Sequence, residues 1–172
     1  MASSARPSYP PIVVMGVSGC GKSTVGEALA DRLGLEFADA DAFHSAANVA
    51  KMASGRPLDD DDRAPWLLSI GAWLAAHEET GAVVACSALR RRYRDALRAG
   101  APSTVFVHLA GDPSVVARRV GDRPGHFMPA SLVESQLATL EPLEADEAGQ
   151  SLDFSAPVAA ILLAAVRTLD GT

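Results

Sequence analysis

Between a short β-branched run, Ile12 to Met15, and a stretch with apolar residues at Val25, Leu29 and Leu33 lies Gly16-Val17-Ser18-Gly19-Cys20-Gly21-Lys22-Ser23. It fits G-x-x-x-x-G-K-[ST], and a strand before and a helix after are the context that gives the pattern physical meaning. The glycines let main-chain N–H groups turn inward around phosphate oxygens, and the following helix presents its positive end to them. Lys22 is placed to reach the β and γ phosphates of ATP, Ser23 to ligate Mg²⁺, and Thr24 to border the same cradle. Such a loop specifies a nucleotide and leaves the reaction open.

The rest of the chain alternates in the same way. Strand patterns are expected at Leu35 to Ala38, Ala82 to Cys86, Thr104 to Leu109 and Ser151 to Phe154. Helical spacing is expected from Ala46 to Met52, from the Asp59-Asp60-Asp61-Asp62 run to Gly81, and over Arg90 to Arg98, Pro113 to Val120, Ser131 to Leu140 and Pro157 to Leu169. The aspartates suit a helix N-terminus, and Pro65 is expected near the first turn, where its missing N–H costs little. Alternation of this kind predicts an α/β fold, a mostly parallel sheet with helices on both faces. At 172 residues the expectation is a single domain, 1–172, with residues 1–10 as a flexible tail and about 121–130, rich in Gly and Pro, as a lid.

Charge and composition exclude several classes. Fifteen basic against twenty-one acidic residues leave a net charge of −6, the wrong sign for a protein that coats nucleic acid. Apolar runs fall short of the ~18 residues a membrane span needs, and the first residues lack a signal core, so a soluble cytoplasmic protein is expected. A guanine-reading Asn-Lys-x-Asp is absent, and the third predicted strand runs into Cys86-Ser87-Ala88-Leu89 without the acid that many NTPases use for Mg²⁺. Asp39 and Asp41, at the end of the second strand, are the nearest substitutes by topology. Two apart on a pleat, they are expected to project to one side, where one acid can help hold the metal and the other can accept the proton of the hydroxyl that attacks the γ-phosphate.

At this point the residues resemble a known family. Gly16-Val-Ser-Gly-x-Gly-Lys-Ser23 is followed by Asp39-x-Asp41-x-Phe-His44, by Asn48 with Lys51-Met-Ala-Ser-Gly55, and by Pro57-Leu-x-Asp-Asp-Asp-Arg63 with Pro65-Trp-Leu67. Cys86-Ser-Ala-Leu89 with Tyr93-Arg94 and then Gly125-His-Phe-Met128 complete a series that resembles gluconokinase from about Ile12 to Glu141. The resemblance implies the nucleoside-monophosphate-kinase-like, three-layer P-loop NTPase fold with a five-stranded parallel sheet and a mobile lid. It implies transfer of the γ-phosphate of ATP to the 6-hydroxyl of D-gluconate, and a homodimer.

A small polyhydroxylated anion needs cations for its carboxylate and hydrogen-bonding groups for its hydroxyls. His44, Arg63, Ser87, Arg90 and Arg91 are the candidates, with His126 of the lid, and Arg90 stands where the family usually has Lys. Arg119 and Arg123 flank the lid: Arg119 is expected on the nucleotide, Arg123 on the charge of the transferring group. The resemblance also places Asp153 to Pro157 beside the adenine, with Pro157 as the contact. The alternatives are a shikimate kinase-like small-metabolite kinase, which carries a glycine cluster where Ser87 to Arg90 stand here, and a non-catalytic nucleotide-binding module.

Overall fold

The computed structural model describes residues 8–121 and 130–171. In chain order these are β1 (Ile12–Met15), α1 (Lys22–Leu33), β2 (Glu36–Asp39), a 3-10 turn (Ala40–Phe43), α2 (Ala46–Ala53), α3 (Asp60–Ala76) and β3 (Ala82–Ala85). They are followed by α4 (Arg91–Gly100), β4 (Val105–Ala110), α5 (Pro113–Gly121), α6 (Ala130–Thr139), β5 (Gly149–Asp153) and α7 (Val158–Asp170). The five strands form one sheet in the order β2-β3-β1-β4-β5, and every neighbouring pair is parallel.

All four residues of β1 are buried because the central strand of a parallel sheet is covered on both faces. Successive side chains point to opposite faces. Ile12 and Val14 join Val25 and Leu29 of α1 and Ile161 and Leu169 of α7 in one core. Val13 and Met15 join Trp66, Ile70 and Leu74 of α3 and Tyr93 and Leu97 of α4 in the other. The expected three layers follow. Of the stretch 1–10, Ser8 donates a hydrogen bond to Glu79 O (3.2 Å) and Tyr9 packs against the first core.

Several placements differ from expectation by a residue or more. The second strand begins and ends one residue later, so Asp39 is its last residue. β5 starts at Gly149, with φ 148°, where any Cβ would collide with the Phe106 carbonyl oxygen; hydrophobicity alone located only the part from Ser151. Pro65 sits in the second turn of α3, not the first, since that helix opens at Asp60. The carbonyl that loses a partner belongs to exposed Asp61, which water can satisfy. The start of α3 is a capping box: Asp62 N–H donates to Asp59 Oδ1 (2.8 Å) and Asp59 N–H to Asp62 Oδ2 (2.9 Å). Lys51 of α2 donates to the same Asp62 carboxylate (2.6 Å), so α2 is fastened to the N-terminus of α3.

One buried side chain joins α4 to two neighbouring segments. Arg94 of α4 is fully buried and pairs with Glu147 through Nε (2.7 Å) and Nη2 (2.9 Å). Its Nη1 donates to the carbonyls of Ala88 (2.9 Å) and Glu141 (3.0 Å). Burial pushes the Glu147 carboxyl up, but hydrogen bonds from Arg94, the Glu144 N–H and Arg98 outweigh it and hold the pKa at about 2. The loop after β3 and the segment leading to β5 are thereby tied to α4.

Removing one partner strands a buried charge. Arg94→Met should lower the unfolding free energy by about 3–5 kcal/mol in urea titration, and Arg94→Met/Glu147→Met by less. A depressed carboxyl pKa stabilises above its unfolded value and loses that contribution as pH falls through the folded one. Stability should therefore drop between pH 4.5 and about 2, and Glu147→Gln should flatten that limb.

Candidate active site

The loop between β1 and α1 can fold tightly because Gly16 carries no side chain. At its φ of 147°, a Cβ would lie 2.7 Å from Cys20 Sγ and 2.8 Å from Leu109 O. Gly16 N–H donates to Ser87 O (3.3 Å), which joins the loop to the end of β3. α1 begins at Lys22 after Gly21, without a side-chain cap, so its first N–H groups and its positive end face the crevice, as an anion site requires. Lys22 Nζ donates to Val17 O (3.0 Å). Ser18 N–H donates to Gln136 Oε1 of α6 (2.7 Å), so a side-chain oxygen already takes one of the loop N–H groups.

Facing the loop are the acids of β2. Ser23 Oγ donates to Asp39 Oδ2 at 2.7 Å, and Asp41 N–H donates to Asp39 Oδ1 at 3.0 Å. The strand ends at Asp39, so Asp41 reaches the crevice through the 3-10 turn rather than along a pleat as expected. Its carboxyl pKa is pushed up, first by desolvation against the crevice walls and then by Asp39, with Lys22 and His44 pulling the other way. Ser23 and Asp39 supply hard oxygen donors side by side, which fits a Mg²⁺ ion that keeps phosphate and water as its remaining ligands.

These groups open onto one cavity of about 610 Å³, bounded by Ser18, Lys22, Ser23 and Thr24 on one side and Asp39, Asp41 and His44 on another. Arg63, Trp66, Ser87, Gln136 and Thr139 also line it. His44 stacks on Trp66 (4.4 Å between centroids, 10° between planes), and burial lowers its pKa. Arg63 donates one N–H to Tyr93 Oη (3.1 Å), and Tyr93 in turn donates to Asp60 (2.6 Å).

Two of the arginines expected on the substrate do not line this cavity. Arg91 faces away: its guanidinium is bound by Asp95 (2.9 Å), Glu144 (2.6 Å) and Asp146 (2.8 Å), and it belongs to the fastening of α4. Arg90 is not among the residues lining the cavity, and its Nε is buried with no hydrogen-bond partner among the described residues. Arg119 donates to Phe154 O (3.1 Å) and lies 5.3 Å from that ring's centroid, and the exposed Pro157 stands at the N-cap position of α7. Val17 and Cys20 are buried within the loop and contribute main chain, as the Lys22 contact with Val17 O illustrates. Burial pushes the Cys20 thiol up and holds Cys86 at about 12, so neither is an activated nucleophile. Arg123 and His126 lie outside the described residues. Residue patterns missed Gln136 and Trp66 as crevice residues, since a Gln on a helix and a Trp on an apolar stripe look like surface and core.

The shikimate kinase family profile matches residues 18–148. Gluconokinase from Gluconobacter oxydans is 53% identical over 132 residues, which cover 76% of this chain and 74% of that one. This chain belongs to the gluconokinases of the shikimate kinase family. Among solved structures, a gluconokinase from Sinorhizobium meliloti superposes with a TM-score of 0.87 at 48% identity, covering 96% of this chain and 94% of that one. A sugar kinase from Janibacter superposes with 0.90 at 51% identity, covering 94% and 95%. The parallel α/β sheet expected from the alternating elements, and the P-loop kinase fold that the resemblance implies, are thus the fold observed. For this gluconokinase-family chain the bond from Ser18 N–H to Gln136 has a measurable consequence. Gln136→Ala should tighten binding of a non-hydrolysable ATP analogue about two- to tenfold in calorimetry, the worth of one hydrogen bond that the ligand must displace. An unchanged affinity would show that the two do not compete.

Proposed function

We propose that this protein is an ATP- and Mg²⁺-dependent gluconokinase that phosphorylates the 6-hydroxyl of D-gluconate to give 6-phospho-D-gluconate and ADP. The observation that carries the proposal is the acid pair: Asp39 is bonded to the P-loop Ser23 at 2.7 Å and holds the main chain of Asp41 at 3.0 Å, on the same crevice as Lys22. Bound Mg²⁺, held by Ser23 and Asp39, would supply charge neutralisation between the phosphates.

The chain's own residues then divide the work. Lys22 leaves the Val17 carbonyl for the phosphates, and the loop N–H groups orient them. Asp41, within the crevice, accepts the proton of the attacking hydroxyl and aligns it; its raised pKa makes it a better base than an exposed carboxylate. His44, Arg63 and Ser87 offer donors for the hydroxyls and carboxylate of a sugar acid. Arg119 and Pro157 flank the place for the adenine, and Arg123 is the candidate for neutralising the transferring group. Catalysis by such a site is positioning and electrostatics rather than covalent chemistry. The same reading includes a cytoplasmic homodimer, and light scattering on the purified protein checks the subunit number.

ADP release measured with gluconate, with shikimate and without acceptor tests the proposal: release that depends on gluconate is expected, and a preference for shikimate or no stimulation by either would overturn it. Asp41→Asn should lower kcat about 10²- to 10⁴-fold while the ATP analogue still binds. Because the carboxyl pKa lies above its ordinary 3.8, kcat/KM should begin to fall at a higher pH on the acid side than an exposed aspartate would give.

A further inference from the structure

Asn48 of α2 is buried, 7% exposed, and its side-chain amide lies between two partners. Nδ2 donates to the main-chain carbonyl of Asp62 at 2.9 Å and lies 3.3 Å from His44 Nδ1. A carbonyl oxygen can only accept, so the NH₂ end of the amide must be the end at Asp62. The second hydrogen of that NH₂ then faces His44 Nδ1, which has to present its lone pair. In a neutral imidazole the proton is therefore on Nε2.

The ring has little freedom to escape this assignment. It lies flat on Trp66, and Trp66 is itself held by its Nε1–H bond to Ala40 O (2.8 Å). Turning the ring over would set a C–H against Asn48 and leave a buried donor unpaired. Asp62, whose carbonyl starts the relay, is locked by the α3 capping box and by Lys51. Among the described residues His44 Nε2 has no hydrogen-bond partner, and the ring lines the cavity with Asp41 and Arg63.

We infer that Asn48 is a positioning residue that fixes His44 as an Nε2–H donor aimed at a substrate oxygen, and that by occupying the ring's lone pair it leaves Asp41 as the base beside it. The inference rests on the gluconate reading and deepens it. His44 can give a hydrogen bond to a hydroxyl or carboxylate oxygen, but it cannot take the proton of the attacking hydroxyl. Two neighbouring groups able to accept that proton are thus reduced to one.

Long-range ¹H–¹⁵N spectra of the whole protein read the tautomer of His44 directly. The expected result is a protonated Nε2 and an unprotonated Nδ1, giving way to a mixture in Asn48→Ala; a protonated Nδ1 in the natural protein overturns the inference. In steady-state kinetics Asn48→Ala should raise KM for gluconate about tenfold and leave KM for ATP within about twofold. His44→Gln carries an amide donor near the Nε2 position without needing a tautomer set for it. Asn48→Ala made in that background should add less than about a twofold rise in KM for gluconate. An equal rise in both backgrounds, or a rise in both KM values, would assign Asn48 a merely structural role. Failure of the natural protein to phosphorylate gluconate would refute the functional reading instead, and the tautomer measurement stands independently of it.

Discussion

The bond between Ser23 Oγ and Asp39 Oδ2 joins two β–α units that the sheet keeps apart. Ser23 opens α1 after the central β1, whereas Asp39 closes β2, and β3 lies between the two strands. The bond forms because α1 crosses over β3 and delivers the chain to β2, so that the carboxyl end of β2 returns beside the start of α1. Everything proposed for the crevice depends on that return. Asp41 is placed by Asp39, the ion site needs both oxygens, and the substrate residues only matter if the phosphates and the acid share one cleft.

A second constraint keeps the opposite wall in place. Arg94 spends its guanidinium on Glu147 and on carbonyls from the loop after β3 and the segment after α6. The first of these pieces carries Ser87, and the second follows directly on α6, the helix that carries Gln136. A buried arginine is costly unless its donors are satisfied, and here they are. The arrangement ties parts of the crevice wall to α4, outside the crevice. The arm formed by α2 and the start of α3 is fastened separately, by Lys51 and the capping box, and supports His44 from behind.

Much of the fold was legible in the residues because its signals are local. Four-residue apolar runs bounded by glycine, helical spacing between them, and the acidic start of α3 are all read within one or two turns of chain. The errors were local too: Pro65 lies a turn deeper in α3 than expected, and β5 begins at a glycine chosen for its closeness to Phe106. The arginines show where such reading ends. Arg91 belongs to a cluster with Asp95, Glu144 and Asp146, and nothing in the run Arg90 to Arg94 distinguishes buried Arg94 from exposed Arg92.

The amino-acid sequence by itself determined the phosphate loop, the alternation that makes a parallel sheet, and the presence of two aspartates around the end of the second strand. Only the tertiary structure decided that Asp39 meets Ser23, that Gln136 reaches the loop N–H of Ser18, and that Asn48 sets the proton on His44. The reason is one of range. A backbone pattern is dictated by neighbours in the chain, whereas a hydrogen bond between residues 16, 118 or 14 positions apart exists only after separate elements have packed and fixed the distance between them.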